Sequence, residues 1–190
     1  MPGDTNDFSD VFLHDRRTGR TGLISRTPAG APGLYNSFNP SISADGCFVA
    51  YQSESPDLVP GDTNDKVDVF VRDRRAGRTS LASVPSTGGQ ANDHGNSASI
   101  SPDGRYVVFS SPATNLVPGD SNAADDVFVR DLWHSTTTRV SVGTTGGQAD
   151  GWSGDPSINA GGRVVAFASS AGNLVAGDTN AEPDVFARIR

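Results

Sequence analysis

The sequence is short of several residue types, and each shortage removes a class of protein. A single cysteine, Cys47, in 190 residues excludes an intrachain disulfide and a cysteine-rich metal centre. The 22 acidic residues include only Glu54 and Glu182 as glutamates, and the 15 basic residues only one lysine, Lys66. Glu and Lys are the charged residues that helix interiors favour, whereas Asp, Gly and Pro favour turns. With 22 Gly and 12 Pro, that balance argues against helical bundles and doubly wound α/β folds. No apolar run approaches the roughly 18 residues of a membrane span. Residues 1–6 have neither the basic nor the apolar segment of a signal peptide. Positive charge is also scarce: a net charge of −7 argues against nucleic acid and against an anionic membrane surface as partners.

What the chain does have is a repeat. Pro2-Gly3-Asp4-Thr5-Asn6 returns as Pro60-Gly61-Asp62-Thr63-Asn64, as Pro118-Gly119-Asp120-Ser121-Asn122 and as Ala176-Gly177-Asp178-Thr179-Asn180, a constant spacing of 58 residues. The copies run 2–59, 60–117 and 118–175, with a partial fourth at 176–190. Each reads as four short strands. Strand A is Pro40–Ser43, Ala98–Ser101 and Pro156–Asn159, followed by Asp45-Gly46, Asp103-Gly104 or Gly161-Gly162, pairs suited to tight hairpins. Strand B, at 47–51, 105–109 and 163–167, is nearly all apolar and reads as buried on both faces. Strand C is Asp68–Asp73 with its equivalents at 10–15, 126–131 and 184–188, and a polar outer strand D is placed at Leu23-Ile24, Leu81-Ala82 and Val140–Val142.

Four antiparallel strands per repeat, with B buried and D polar, describe an all-β fold of β-propeller blades. The pattern Pro-Ser-Ile-Ser-x-Asp-Gly-x-x-Val-Ala-Phe, followed by Asp-Val-Phe-Val-Arg-Asp, resembles the TolB-like propeller repeat of bacteria, a relative of WD-type blades. The insert Asn115–Asp120 resembles a subgroup found in bacterial, often extracellular, proteins. The resemblance implies a non-enzymatic module for protein or cell-envelope interaction, outside the cytoplasm, in the extracellular space or periplasm. The count is three A, three B, four C and three D strands, 13 in all, where closed propellers use whole four-stranded blades. The chain opens and closes on a C strand. Two completions follow: a second copy of the chain, giving a six-bladed ring, or further blades of a longer chain, which could be an enzyme.

The B–C loops carry most of the polar chemistry. They read Asp4-x-Asn6-x-x-x-Asp10, Asp62-x-Asn64-x-x-x-Asp68, Asp120-x-Asn122-x-x-x-Asp126 and Asp178-x-Asn180-x-x-x-Asp184. With Asp7, Asp65, Asp125 and Glu182, they hold over half of the 22 acidic residues on one rim. Oxygen atoms at positions 1, 3 and 7 suit Ca²⁺, and the loop resembles those of integrin-type blades, so a calcium-dependent carbohydrate- or surface-binding propeller is one reading. Position 5, however, holds Phe8, Lys66, Ala124 and Glu182, and no carboxylate follows at position 9 or 12. The same residue types form Asx-turns, with the closing Asp pinning the start of strand C and no cofactor required. The D–A loops share the rim. In them one register varies, Asn36, His94 and Trp152, and marks candidate contacts with a protein or glycan ligand, Trp152 foremost.

Catalysis finds no foothold in the sequence. His14, His94 and His134 fall at different places in the repeat, and no Gly-x-Ser-x-Gly elbow occurs. The Gly88-Gly89 and Gly146-Gly147 pairs open no helix, as a phosphate cradle would require.

Overall fold

Short apolar runs separated by turns of Asp, Gly and Pro favour local antiparallel pairing, and the chain pairs almost wholly with its sequence neighbours. A computed structural model describes residues 4–180 and 182–190. The Pro2-Gly3 opening of the first repeat lies outside them. The strands are β1 (Phe12–Asp15), β2 (Arg20–Leu23), β3 (Ser37–Ile42), β4 (Phe48–Ser53), β5 (Asp68–Asp73), β6 (Arg78–Leu81) and β7 (Asn96–Ile100). Then come β8 (Tyr106–Ser111), β9 (Asp126–Asp131), β10 (Thr136–Arg139), β11 (Ser153–Ile158), β12 (Val164–Ser169) and β13 (Asp184–Ile189). Among the described residues they form four sheets: β1-β2, β3-β4-β5-β6, β7-β8-β9-β10 and β11-β12-β13. The fold is all-β, as the repeat implies.

The sequence pattern sets the polar outer strand D too far along the chain, overlapping β2 and β6 only at Leu23 and Leu81 and missing β10. The outer strands are the polar segments β2, β6 and β10, which end just before Ile24, Ala82 and Val140. These three residues are buried. Each donates its backbone N–H to a strand-C residue, Val11, Val69 and Val127 respectively, as the chain turns inward. Their apolar character reflects that turn, not the strand. Strand A also starts earlier, because β3, β7 and β11 each contain a bulge at Asn39, Ser97 and Asp155. There φ is 49°, 49° and 48°, in the left-handed region that Asn and Asp tolerate best.

Each three- or four-stranded sheet is centred on an aromatic cross-strand pair: Tyr51–Phe70, Phe109–Phe128 and Phe167–Phe186, with ring centroids 5.8, 5.8 and 5.9 Å apart. Between sheets lie aliphatic seams. Val69 and Val71 of one sheet pack with Ile100, Val107 and Phe109 of the next, and Val127 and Val129 with Ile158, Val165 and Phe167. The residue before β1, Val11, joins this stacking and packs with Val49, Tyr51 and Phe70. Strands β3, β7 and β11 lie side by side. Ser97 donates to its repeat equivalent Asp155 across 3.3 Å.

Candidate functional site: the loop rim

The strand directions place the B–C and D–A loops at one end of the sheets, and side chains tie them together. In each B–C loop the Asn folds back as an Asx-turn. The Oδ1 atoms of Asn6, Asn64, Asn122 and Asn180 accept the backbone N–H of Phe8, Lys66, Ala124 and Glu182 at 3.1–3.3 Å. The Asn amide then donates outward: Asn6 to Gly33 O, Asn64 to Ala91 O and Asn122 to Ala149 O, 27 residues on in every case. Asn64, Asn122 and Asn180 also donate to Asp68, Asp126 and Asp184, four residues on.

The closing Asp has a constant partner. The hydroxyls of Ser25, Ser83 and Ser141 donate to Asp10, Asp68 and Asp126, 15 residues earlier. The same hydroxyls accept the N–H of Val11, Val69 and Val127 at 3.0 Å. Asp, Ser and the amide of the residue after that Asp therefore form one three-part pin. The opening Asp is held likewise, since Gln90 donates to Asp62 (2.8 Å) and Gln148 to Asp120 (3.0 Å). Among the described residues, no group of three or more His, Cys, Asp or Glu side chains converges as a metal site. The Asn residue of the oxygen set turns its NH₂ towards the carboxylate at Asp68, Asp126 and Asp184, where a cation would need oxygen.

The repeats differ in how they balance this buried charge. Asp126 is fully buried, and its Oδ2 meets Arg139 at 3.1 Å, with Asp120 3.3 Å from the same guanidinium. Leu81 takes the place of Arg139 in the preceding sheet, as the ladder partners Phe70↔Leu81 and Phe128↔Arg139 show. Asp68 lacks that guanidinium, and burial pushes its carboxyl up to about 6. Burial also raises Asp62 and Asp120. A carboxyl raised in the fold binds its proton more tightly there than in the unfolded chain. Its contribution to stability is therefore complete below about pH 4 and is lost as pH rises through about 6. Asp68→Asn keeps an oxygen for Ser83 and removes the ionisation. Urea midpoints measured from pH 4 to 8 are expected to fall less steeply for Asp68→Asn than for the wild type.

The varied register resolves into two roles. Asn36 Oδ1 accepts Ser9 N (3.1 Å) and His94 Nδ1 accepts Val67 N (2.9 Å), so both cap the last amide before strand C. Trp152 does neither: its indole lies against Gly154, where a Cβ would stand 2.3 Å from Cζ2. Sequence reasoning missed a further group. Phe8 and Tyr35 meet edge to face at 5.6 Å and both are exposed, as is Leu34 beside them. Next to them opens a cleft of about 310 Å³ lined by Tyr35, Glu54, Asp62, Asp65, Lys66 and His94, among others. Comparison of the copies carries the signal: Phe8 aligns with Lys66 and Ala124, and Tyr35 with Asp93 and Gly151, so both break the repeat.

No protein-family model matches the sequence, and neither does any curated protein. Among solved structures, TolB from Acinetobacter baumannii is 16% identical, with a TM-score of 0.52 over 95% of this chain and 37% of that one. A putative TolB from Agrobacterium tumefaciens is 18% identical, with a TM-score of 0.53 over 85% and 46%. A prolyl endopeptidase is 14% identical, with a TM-score of 0.55 over 96% and 25%. The fold is a β-propeller's. At these identities the likeness is one of fold, and the chain spans less than half the length of each of these proteins. On the propeller, β3, β7 and β11 are the inner strands, β2, β6 and β10 the outer ones, and the pinned loops make one rim. The opposite rim carries the A–B and C–D turns. There Arg105 pairs with Asp131 at 2.7 Å and lies 4.9 Å from the ring of exposed Trp133.

Proposed function

We propose that this propeller is a non-enzymatic binding module and that the rim of B–C and D–A loops receives a polypeptide partner. The observation that carries the reading is the exposed patch of Phe8, Leu34 and Tyr35 beside the acidic cleft. Aromatic side chains left in water on a rigid, hydrogen-bonded frame mark protein contact sites, and a few such anchors carry most of the binding energy. The rim's acid, including Asp7, Glu54 and Asp65, favours a segment that brings Lys or Arg to flank an apolar residue. The pins engage Asp10, Asp62, Asp68, Asp120 and Asp126 with Ser and Gln side chains. His94 spends Nδ1 on Val67, which removes it as a base at that atom.

A displayed random-peptide library panned against the protein tests this. Selected peptides are expected to be rich in Lys, Arg and aromatic residues and to weaken as salt is raised. Tyr35→Ala should reduce their affinity about tenfold or more, near 1.4 kcal/mol. Trp133→Ala on the opposite rim should leave it unchanged. Peptides insensitive to Tyr35→Ala and Phe8→Ala would contradict the reading.

A further inference from the structure

Where the first two sheets meet, arginines gather with too few carboxylates to pair them. Between the β1-β2 sheet and β5 lies a cleft of about 480 Å³, lined by Arg20, Arg26, Arg72, Arg74 and Asp15 among others. Asp15 already accepts the backbone N–H of Arg17 at 2.8 Å and of Thr18 at 3.3 Å. Among the described residues the Lys and Arg ion pairs are those of Lys66, Arg75, Arg105 and Arg139, so none of the four cleft arginines has a carboxylate partner. Arg72 is only 4% exposed, and its side chain donates to the Thr79 hydroxyl at 3.0 Å. Burial and the like charge of Arg26 pull its guanidinium below the usual arginine range.

The repeat shows that this cluster is particular to the first seam. In the places of Arg26, Arg72 and Arg74 the next seam has Val84, Arg130 and Leu132. There Arg130 donates to the carbonyls of Ser135 at 2.9 Å and Pro85 at 3.5 Å, and to the Thr137 hydroxyl at 3.2 Å. Thr137 closes that seam, since its hydroxyl donates to Val84 O and its N–H to the Ser86 hydroxyl. Pro28 stands in the place of Ser86 and brings no hydroxyl. Pro28 and Thr79 instead border a second cleft of about 560 Å³, with Leu58, Val59 and Leu81 in its wall, which adjoins the first at Arg72.

We propose that the first seam binds a phosphate dianion, free or as the head group of a monoester, held by Arg26, Arg72 and Arg74. Guanidinium forks match phosphate oxygens with paired N–H donors, and such charge-assisted bonds are the strong ones. The anion supplies the negative charge that Asp15 alone does not, and it offsets the repulsion between Arg72 and Arg26. Both clefts fall within the roughly 300–1,000 Å³ of small-molecule sites, and the apolar wall of the second suits the body of an ester. The site lies beside the C–D turn that follows β1, away from the loop rim.

Calorimetric titration of the 190-residue protein with inorganic phosphate and with phenyl phosphate, at constant ionic strength, tests this. Both are expected to bind saturably at one site per chain, whereas chloride should not. Tighter binding of phenyl phosphate would assign the site to an ester, and tighter binding of inorganic phosphate to the free ion. Arg26→Val with Arg74→Leu installs the residues of the next seam. It should weaken both ligands about tenfold or more, with an unchanged far-ultraviolet spectrum. Arg163→Leu, at an exposed position just before β12, should bind as the wild type does. Absence of saturable binding, an equal response to chloride, a double variant that binds as tightly as the wild type, or a like loss in Arg163→Leu would each overturn the proposal.

Discussion

An Asp126→Ala variant is expected to lose about 3–5 kcal/mol of stability, the range for breaking a buried ion pair from one side. Asp126 is fully buried and meets three donors: the Ser141 hydroxyl, the Asn122 amide at 3.2 Å and the Arg139 guanidinium at 3.1 Å. Alanine leaves Ser141 without its acceptor, although Ser141 also holds the backbone amide of Val127 in β9. It leaves Arg139 with Asp120 at 3.3 Å as its remaining carboxylate, while its Nε is already buried without a hydrogen-bond partner. A domain is stable by only about 5–15 kcal/mol, so the change removes a large share of the total. Asp126→Asn keeps an oxygen for Ser141 and should lose less. Urea denaturation of the pair measures the difference, and equal midpoints for Asn and Ala would show that the charge on Asp126 does not matter.

A Gly104→Ala variant is expected to cost about 2–4 kcal/mol, and Gly46→Ala only about 1 kcal/mol, although both residues occupy the same A–B turn. Their backbones are alike, with φ of +73° and +67°, so both substitutions incur the strain of a left-handed alanine. Their neighbours differ. A Cβ on Gly104 would stand 2.3 Å from Cδ2 of Phe48, the first residue of β4, whereas on Gly46 the nearest atom is Arg74 Nη1 at 3.7 Å. Gly162 repeats the crowded case, 2.1 Å from Tyr106 Cδ2. Phe48 and Tyr106, the aromatic residues that open β4 and β8, therefore tuck under the turn of the next blade, and glycine makes room for each. Thermal melts of the two variants test this. Equal losses would mean that the seam between blades yields without penalty at Phe48.

Legibility in the sequence followed the physical origin of each feature. Strands B and C were readable because burial on both faces makes them continuous apolar runs, as in Val107–Phe109 and Val127–Val129. Strand D is harder to place because its own residues, such as Thr136–Arg139, are polar and few, while the apolar Val140 marks the turn inward behind it. The repeat of Asp62 and Asp120 pointed to the rim, but spacing alone does not separate a cation's oxygen cage from an Asx-turn. That distinction depends on which face of the Asn64 amide meets Asp68. The long-range partners Ser83 and Gln90 lie 15 and 28 residues from the carboxylates they hold. They could be found only by asking what else repeats. Phe8 and Tyr35 stand out only as breaks in the repeat, Phe8 against Lys66 and Ala124 and Tyr35 against Asp93 and Gly151, and a break alone does not show that the two rings meet.

If the repeated carboxylates act as internal pins that hold the rim's backbone, the melting temperature does not depend on a cation. The most direct measurement is the melting temperature of the chain at pH 7 in excess EGTA and again in excess Ca²⁺. Pins made from Ser25, Ser83 and Ser141 predict the same midpoint in both. A midpoint that falls in EGTA and recovers on adding Ca²⁺, with the recovery abolished in Asp120→Ala, would show that the loops hold a cation instead.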